Sequence, residues 1–304
     1  MRSKGSVPNR KVNKVNPFYK GGLNRSTRFA LGIAALFLSI GFTPLPTPFA
    51  SPPAIAQSDR EDTINFGRHF QELGVEGSII IYDSNNNRFY QHNPERNATQ
   101  FLPASTFKIL NALISLETGV IPNDLAVLTW DGIDRDFPDW NRDLNLREAF
   151  KLSAVWFYQV LARRVGYERM QDWVKKVGYG NQNIGSKDAI DRFWLEGELR
   201  ISPREQIEFL RRLYRDDLPF SKATMATVKD MMIVERTPDY TIRAKTGWLG
   251  FGQTEKPQIG WYVGYVERDK NAYFFAVNID INTPNDAKAR SELMRRSLKD
   301  LGVL

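Results

Sequence analysis

Phe101-Leu-Pro-Ala-Ser105-Thr106-Phe107-Lys108 runs directly into the apolar segment Ile109-Leu-Asn-Ala-Leu-Ile-Ser-Leu-Glu117. The second segment reads as a buried helix, stopped by Gly119 at its C-terminal cap and by Pro122 just beyond. Ser105 and Lys108 stand three residues apart in its first turn, on one helical face, so the lysine amine can reach the serine hydroxyl. A hydroxyl beside a candidate base is a potential nucleophile. The same residues also suit a plain helix start, with Ser105 as N-cap and Lys108 as a solvated charge. The tetrapeptide alone does not choose between these readings. The surrounding chain has to.

Upstream, Ile64 to Leu73 has the spacing of a short amphipathic helix. Gly77–Tyr82 reads as a buried strand, Asp83-Ser-Asn-Asn-Asn87 as a turn and Arg88–His92 as the returning strand of a hairpin. Downstream, residues 123 to about 232 are mostly helical. Helical periodicity runs from Leu146 to about Gly166 and from Tyr167 to Lys176, where Gly178-Tyr-Gly-Asn181 breaks it. Ser202-Pro203-Arg-Glu205 has the pattern of a capping box opening a helix through Leu213, and a further short helix follows Ser221. The period then changes to that of strands at Tyr240–Gly247, Gln258–Val266 and Ala272–Asp280, before a last helix from about Asp286 to Leu301. These elements predict an α/β chain of the α+β type. A five-stranded antiparallel sheet (about 77–92 and 240–281) is completed from both ends of the chain and flanked by N- and C-terminal helices. An all-helical subdomain (about 123–232) is inserted in the middle.

The chain contains no cysteine, which removes disulfides, thiolate metal sites and thiol catalysis. With only His69 and His92, a Ser-His-Asp triad or a multi-histidine zinc site is hard to build, and no metal is expected. The base is expected to be a lysine or a carboxylate. The formal net charge of +7 suggests a polyanion partner until it is located: residues 1–56 hold eight Lys/Arg and no acid, and the remainder carries 34 basic against 35 acidic residues. The excess belongs to the leader, so no nucleic-acid partner is expected. Within the leader, the apolar run Phe29–Phe42 is shorter than the roughly 20 residues of a membrane span and suits a signal-peptide core. Ala54-Ile55-Ala56 fits small-residue cleavage. Residues 1–56 are therefore expected to be an export leader, cleaved after Ala56, with residues 57–304 as a mature periplasmic chain lacking a stable span. The long basic segment leaves room for a downstream start or a retained anchor.

A second lysine motif, Lys245-Thr246-Gly247, ends a predicted strand. Glycine there permits close approach of a ligand or backbone, and Lys and Thr offer a cation and a hydroxyl to an anionic substrate. Ser-x-x-Lys at a helix start with a downstream Lys-Thr-Gly is the pairing of β-lactamases and penicillin-binding proteins. Between them stands Ser153-Ala154-Val155. Valine in place of a polar residue leaves an apolar wall, which disfavours an ammonium and lowers a lysine's pKa.

With these motifs the chain resembles the class D (oxacillinase-type) serine β-lactamases from about Phe66 to Leu301. The similarity rests on Pro103-Ala-Ser105-Thr106-Phe107-Lys108, Ser153-Ala-Val155 with Trp156-Phe-Tyr-Gln159, Tyr179-Gly180-Asn181, Phe193-Trp194-Leu195-Glu-Gly197, Lys245-Thr-Gly247 and Gly260-Trp261-Tyr-Val-Gly264. The resemblance implies a β-lactamase/transpeptidase-like fold and hydrolysis of small-molecule β-lactams, with no cofactor beyond carbon dioxide or bicarbonate. Ser105 would be the nucleophile. Lys108 would be carbamylated (N6-carboxylysine) and act as general base, with Trp194 donating to the carbamate and Val155 and Leu195 as apolar walls. Ser153 would relay a proton to the departing ring nitrogen, tuned by Lys245. The oxyanion hole would be the N–H groups of Ser105 and Trp248. Thr246 and Gly247 would line the substrate strand, and Arg290 would clamp the substrate carboxylate in preference to Arg295 or Arg296. Tyr179-Gly180-Asn181 is assigned a structural part. The leader and the rim segment Trp248–Pro257 depart from the family pattern. Homodimerisation stays open. Two other readings share the motifs: a penicillin-binding sensor domain that acylates without deacylating, and a peptidoglycan transpeptidase or carboxypeptidase. The single short apolar run and the end of the chain at Leu304 speak against the first, and Val155 against the second.

Overall fold

The computed structural model describes residues 64–250 and 258–304; the leader with its expected cleavage and most of the rim segment lie outside the described residues. Helix α1 (Gly67–Leu73) leads into the hairpin β1 (Gly77–Asp83) and β2 (Arg88–His92), then α2 (Pro94–Ala98). A 3-10 turn, Ala104–Phe107, runs into α3 (Lys108–Glu117). A small ribbon of β3 (Val127–Leu128) and β4 (Leu144–Asn145) opens the helical insert, followed by α4 (Leu146–Leu152), α5 (Val155–Val165), α6 (Tyr167–Val177), α7 (Pro203–Tyr214) and α8 (Lys222–Met231). β5 (Ile233–Arg236), β6 (Tyr240–Leu249), β7 (Gln258–Arg268), β8 (Asn271–Ile281) and α9 (Asp286–Asp300) close the fold.

The main sheet is antiparallel in the order β2-β1-β8-β7-β6-β5. The first strand lies beside the last, with Ile80 opposite Ala276, so both ends of the chain are needed to build the sheet. Strand side chains alternate faces, and here both faces are covered. Ile79, Ile81, Val277 and Ile279 pack on one side with Phe70 of α1 and Leu293 of α9. Ile80, Tyr82, Trp261 and Phe274 face the helical subdomain. β1 is therefore buried along its whole length, as its unbroken apolar run implies. Helix α3 is buried from Lys108 to Ser115 and forms the centre of that second core.

Three local expectations change. The sheet has six strands where five were read, because Ile-Val-Glu-Arg of β5 is only four residues long and bulged between Ile233 and Glu235. That is too little alternation to be heard above the helix before it. The single helix expected over Leu146–Gly166 is two, since Ser153 adopts φ 58° and ends α4. Ser105 does not cap α3. It sits inside the 3-10 turn, whose cap position is Pro103, a residue whose side chain has no hydrogen-bonding group, and its own hydroxyl is held by Lys108. Two capping boxes are present, of which one was expected. That of Ser202 and Glu205 is present as read, and a second one, Asn145 with Glu148, opens α4 and was not foreseen.

Candidate active site

The turn that carries Ser105 is fastened from four directions. Phe101 and Ile201 exchange backbone hydrogen bonds of 3.0 and 2.9 Å. The Trp261 indole on β7 donates to the Leu102 carbonyl at 3.0 Å. Ala104 N–H donates to the Trp194 carbonyl at 3.0 Å. The Thr106 hydroxyl donates to the Pro103 carbonyl at 2.7 Å and accepts from the Gln206 side chain at 2.8 Å. These ties hold Ala104 at φ 47°, a left-handed conformation that a residue with a Cβ adopts only under constraint. The next residue is Ser105.

Lys108 is fully buried, and its Nζ donates to Ser105 Oγ at 2.6 Å. Burial, reinforced by the positive charge of Lys245, pushes its amine well below the ordinary lysine pKa. A neutral amine at hydrogen-bonding distance from a hydroxyl is a base poised on its substrate proton. Lys245 is the second such group. It is 4% exposed, and its Nζ donates to Ser153 Oγ at 3.0 Å and to the Thr246 carbonyl at 3.1 Å. Burial, and then Arg290, lower it to about 7. The break between α4 and α5 is what turns Ser153 toward this lysine, and Val155, half-buried, opens the helix beyond it.

Strand β6 brings the Lys-Thr-Gly residues past the 3-10 turn. The Thr246 side chain is exposed, and Gly247 is buried against the turn. A Cβ at Gly247 would stand 3.1 Å from Trp261 Cβ and 3.3 Å from both the Pro103 oxygen and Thr106 Cγ2, so the absence of a side chain lets the strand and turn meet. Trp248 follows, its indole donating to Gln258 Oε1 at 2.7 Å. From α9, Arg290 reaches the same strand: Nη1 donates to the Gly247 carbonyl at 2.6 Å, Nε to the Ala287 carbonyl at 2.7 Å, and the guanidinium lies 5.6 Å from the Trp248 ring. Burial lowers its pKa to about 10. Gly260 leaves room for it, since a Cβ there would approach Arg290 Cδ to 2.9 Å. Arg295 and Arg296 are spent elsewhere, on Glu235 and on Glu72 and Glu292. Of the three arginines, Arg290 is the one that bonds to the Lys-Thr-Gly residues.

Trp194 lies against the same turn, its ring stacked on Phe107 with centroids 5.5 Å apart, and Leu195 packs half-buried against the core beside it. The Trp194 indole N–H is buried and has no hydrogen-bond partner among the described residues. An unpaired buried donor is costly. A buried donor of this kind is what an anionic carbamate on the buried Lys108 would need, so the chemistry of the residues present fits such a group. Tyr179-Gly180-Asn181 is structural in its contacts. Asn181 bonds the Glu198 and Arg200 backbone, and a Cβ on Gly180 would fall 2.0 Å from the Arg200 oxygen.

Comparison with known proteins gives the family. Residues 76–299 match the penicillin binding protein transpeptidase domain family. β-Lactamase OXA-5 of Pseudomonas aeruginosa is 40% identical over 256 residues, covering 84% of this chain and 95% of that protein. A solved class D β-lactamase, YbXI from Nostoc, is 60% identical with a TM-score of 0.77, covering 80% of this chain and 100% of that one. The chain belongs to the class D β-lactamases. FUS-1 (OXA-85), a class D β-lactamase from Fusobacterium nucleatum, is 39% identical with a TM-score of 0.75, covering 79% of this chain and 98% of that one.

Within this class D scaffold, three residues escaped the sequence reading. Gln206 is a polar side chain on the apolar face of α7, a signal that its spacing from Leu210 and Leu213 could have given. Tyr158 lies 5.6 Å from Lys108 Nζ at its ring centroid and has a buried hydroxyl without a partner among the described residues. Trp140 ties its loop to the Ser153 turn by donating to the Leu152 carbonyl at 3.0 Å.

Proposed function

We propose that the mature chain hydrolyses β-lactams through an acyl-enzyme on Ser105. The observation that carries this reading is the fully buried Lys108 amine, 2.6 Å from the Ser105 hydroxyl and held well below its ordinary pKa. Ser105 Oγ bonds to the lactam carbonyl carbon while its proton leaves toward Lys108. The Ser105 and Trp248 N–H groups take the charge that develops on the carbonyl oxygen. The ring C–N bond then breaks, and the nitrogen receives a proton through Ser153, whose hydroxyl is held by Lys245. Arg290 orients the substrate carboxylate by a two-bond clamp. Water cleaves the ester and returns Ser105. Carbon dioxide, added to the neutral Lys108 amine, supplies a carbamate that can act as general base in both half-reactions. Trp194 would hold it, with Val155 and Leu195 keeping its surroundings apolar.

Export of the mature chain from Gln57 is part of the same reading, supported by the leader's basic and apolar segments and by Ala54-Ile55-Ala56. Among the described residues no helix is long and apolar enough to cross a membrane. One experiment tests both points. Protein recovered from expressing cells is mixed with a chromogenic cephalosporin, with and without bicarbonate, while its intact mass is followed. Steady turnover that rises with bicarbonate, on a chain of the mass expected from Gln57, is the expected result. A single burst with a lasting adduct would instead make the protein a penicillin-binding sensor or transpeptidase.

The fit of β6 against the 3-10 turn carries a further expectation. Gly247→Ala should leave the fold intact but lower kcat about tenfold, less than the roughly 10² that a full ångström of misplacement costs. Steady-state kinetics beside a melting curve would check it. An unchanged kcat would mean that the turn tolerates the added methyl.

A further inference from the structure

The groups assigned so far leave the buried amide that touches the Ser105 turn without a task. Gln206 is fully buried on α7. Its Nε2 donates to Thr106 Oγ1 at 2.8 Å and, at 3.4 Å, to the Tyr179 hydroxyl, while its Oε1 has no partner among the described residues. Burying a half-satisfied amide is unfavourable, so apolar packing alone is a poor reason for glutamine here. The orientation follows from the neighbours. Thr106 has one hydroxyl proton, given to the Pro103 carbonyl at 2.7 Å, so only an N–H of Gln206 can face its oxygen. The result is one directed chain from the Gln206 amide through the Thr106 hydroxyl to the Pro103 carbonyl, each bond polarising the next.

Both atoms that this chain immobilises bear on strand β6. The methyl of Thr106 and the oxygen of Pro103 are the atoms a Cβ on Gly247 would meet at 3.3 Å. With its hydroxyl held at two points, Thr106 cannot turn about χ1, so its methyl stays between the turn and the strand. Ser105 belongs to that turn and Trp248 to that strand, so the gap between turn and strand bears on the spacing of their N–H groups. We propose that Gln206 is a positioning residue for the oxyanion site: its amide locks Thr106 between Pro103 and Gly247 and so sets the spacing of the two oxyanion donors. The proposal rests on the β-lactam acylation reading for the identity of those donors.

The test uses the mature chain as wild type, Gln206→Met, Thr106→Val and the double variant. Acylation of Ser105 by a fluorescent penicillin is followed by stopped flow, and affinity for a boronic acid that forms a tetrahedral adduct on the serine is measured alongside. Each single variant should acylate about tenfold more slowly, as expected for loss of one positioned hydrogen bond. The double should be no slower than either single, because both remove the same device. Boronate affinity should fall in the same ratio while the Kd of the unreacted penicillin stays unchanged. Leu213→Ala, a cavity on the same helix, should lower the melting temperature and leave the acylation rate alone. A wild-type rate in Gln206→Met, additive losses in the double, or losses that follow melting temperature as in Leu213→Ala would overturn the proposal. If Gln206→Met does not fold, a wild-type rate in Thr106→Val overturns it equally. Acylation is read whether or not the ester turns over. A wild type that acylates but never hydrolyses therefore sinks the hydrolase reading alone, and one that never acylates sinks both.

Discussion

Lys108→Ala should abolish steady turnover, with a loss of about 10⁴-fold or more, because a single general base contributes roughly 10²–10⁴ and on the proposed mechanism this one would serve both half-reactions. The variant keeps Ser105, the oxyanion donors and Arg290, so binding should survive while chemistry does not. Lys108→Arg sharpens the result. A guanidinium keeps a side chain of similar length but stays protonated at any working pH, and it should be as inactive as alanine. Wild-type turnover should also fall reversibly on acidification. Burial has lowered the Lys108 pKa, so the neutral amine persists to lower pH than an ordinary lysine would allow, and is lost once protons reach it. Steady-state rates across pH, with and without bicarbonate, check all of this. Turnover unchanged in Lys108→Ala would remove the lysine from the mechanism.

The residues of the site were legible in the sequence because each belongs to a short motif whose chemistry needs particular side chains at fixed spacing. Ser105 and Lys108 are one helical turn apart, and Lys245-Thr-Gly247 needs a strand with no side chain at its close approach. What the sequence did not disclose is how those motifs are held. Ser153 looked like a residue within or at the end of one helix, and the left-handed turn that points it at Lys245 has no glycine to announce it. Strand β5 went unread for a similar reason, since four residues with a bulge carry no periodicity. The capping role first given to Ser105 is the most instructive difference. Helix-start chemistry and nucleophile chemistry use the same hydroxyl, and only the 2.6 Å contact with Lys108 shows which one has it.

The two left-handed positions also share a cause. Among the described residues, the non-glycine positions at positive φ are Asn87, Asn93, Ala104, Ser153, Gln182, Asp216 and Asp269. All but Ala104 and Ser153 carry an amide or carboxylate side chain. Those two stand at the hydroxyls of the proposed mechanism, one immediately before Ser105 and one being Ser153 itself. Each costs on the order of 1–3 kcal/mol, which persists only where surrounding contacts over-determine the backbone. The bonds converging on Pro103, Ala104 and Thr106, and that from Lys245 to Ser153, are such contacts.

Trp194→Phe should separate the carbamate from the bare amine. Phenylalanine keeps an aromatic ring against Phe107 and removes the indole N–H, the buried donor that lacks a partner, together with the rest of the bicyclic ring. If the working base were the amine alone, removing that donor should leave turnover near wild type, with stability lowered only by the cavity that the smaller ring leaves. If the base is a carbamate, the variant loses a hydrogen bond to a charged group. Such a bond is worth about 1.5–3 kcal/mol, so carbamate occupancy and turnover in low bicarbonate should fall about ten- to a hundredfold. Added bicarbonate should then restore most of the rate, because mass action refills a weakened site. A bicarbonate titration of kcat beside a melting curve decides between the two. Loss without bicarbonate rescue would assign Trp194 to packing, and full activity without bicarbonate would return Lys108 to the role of a neutral amine base.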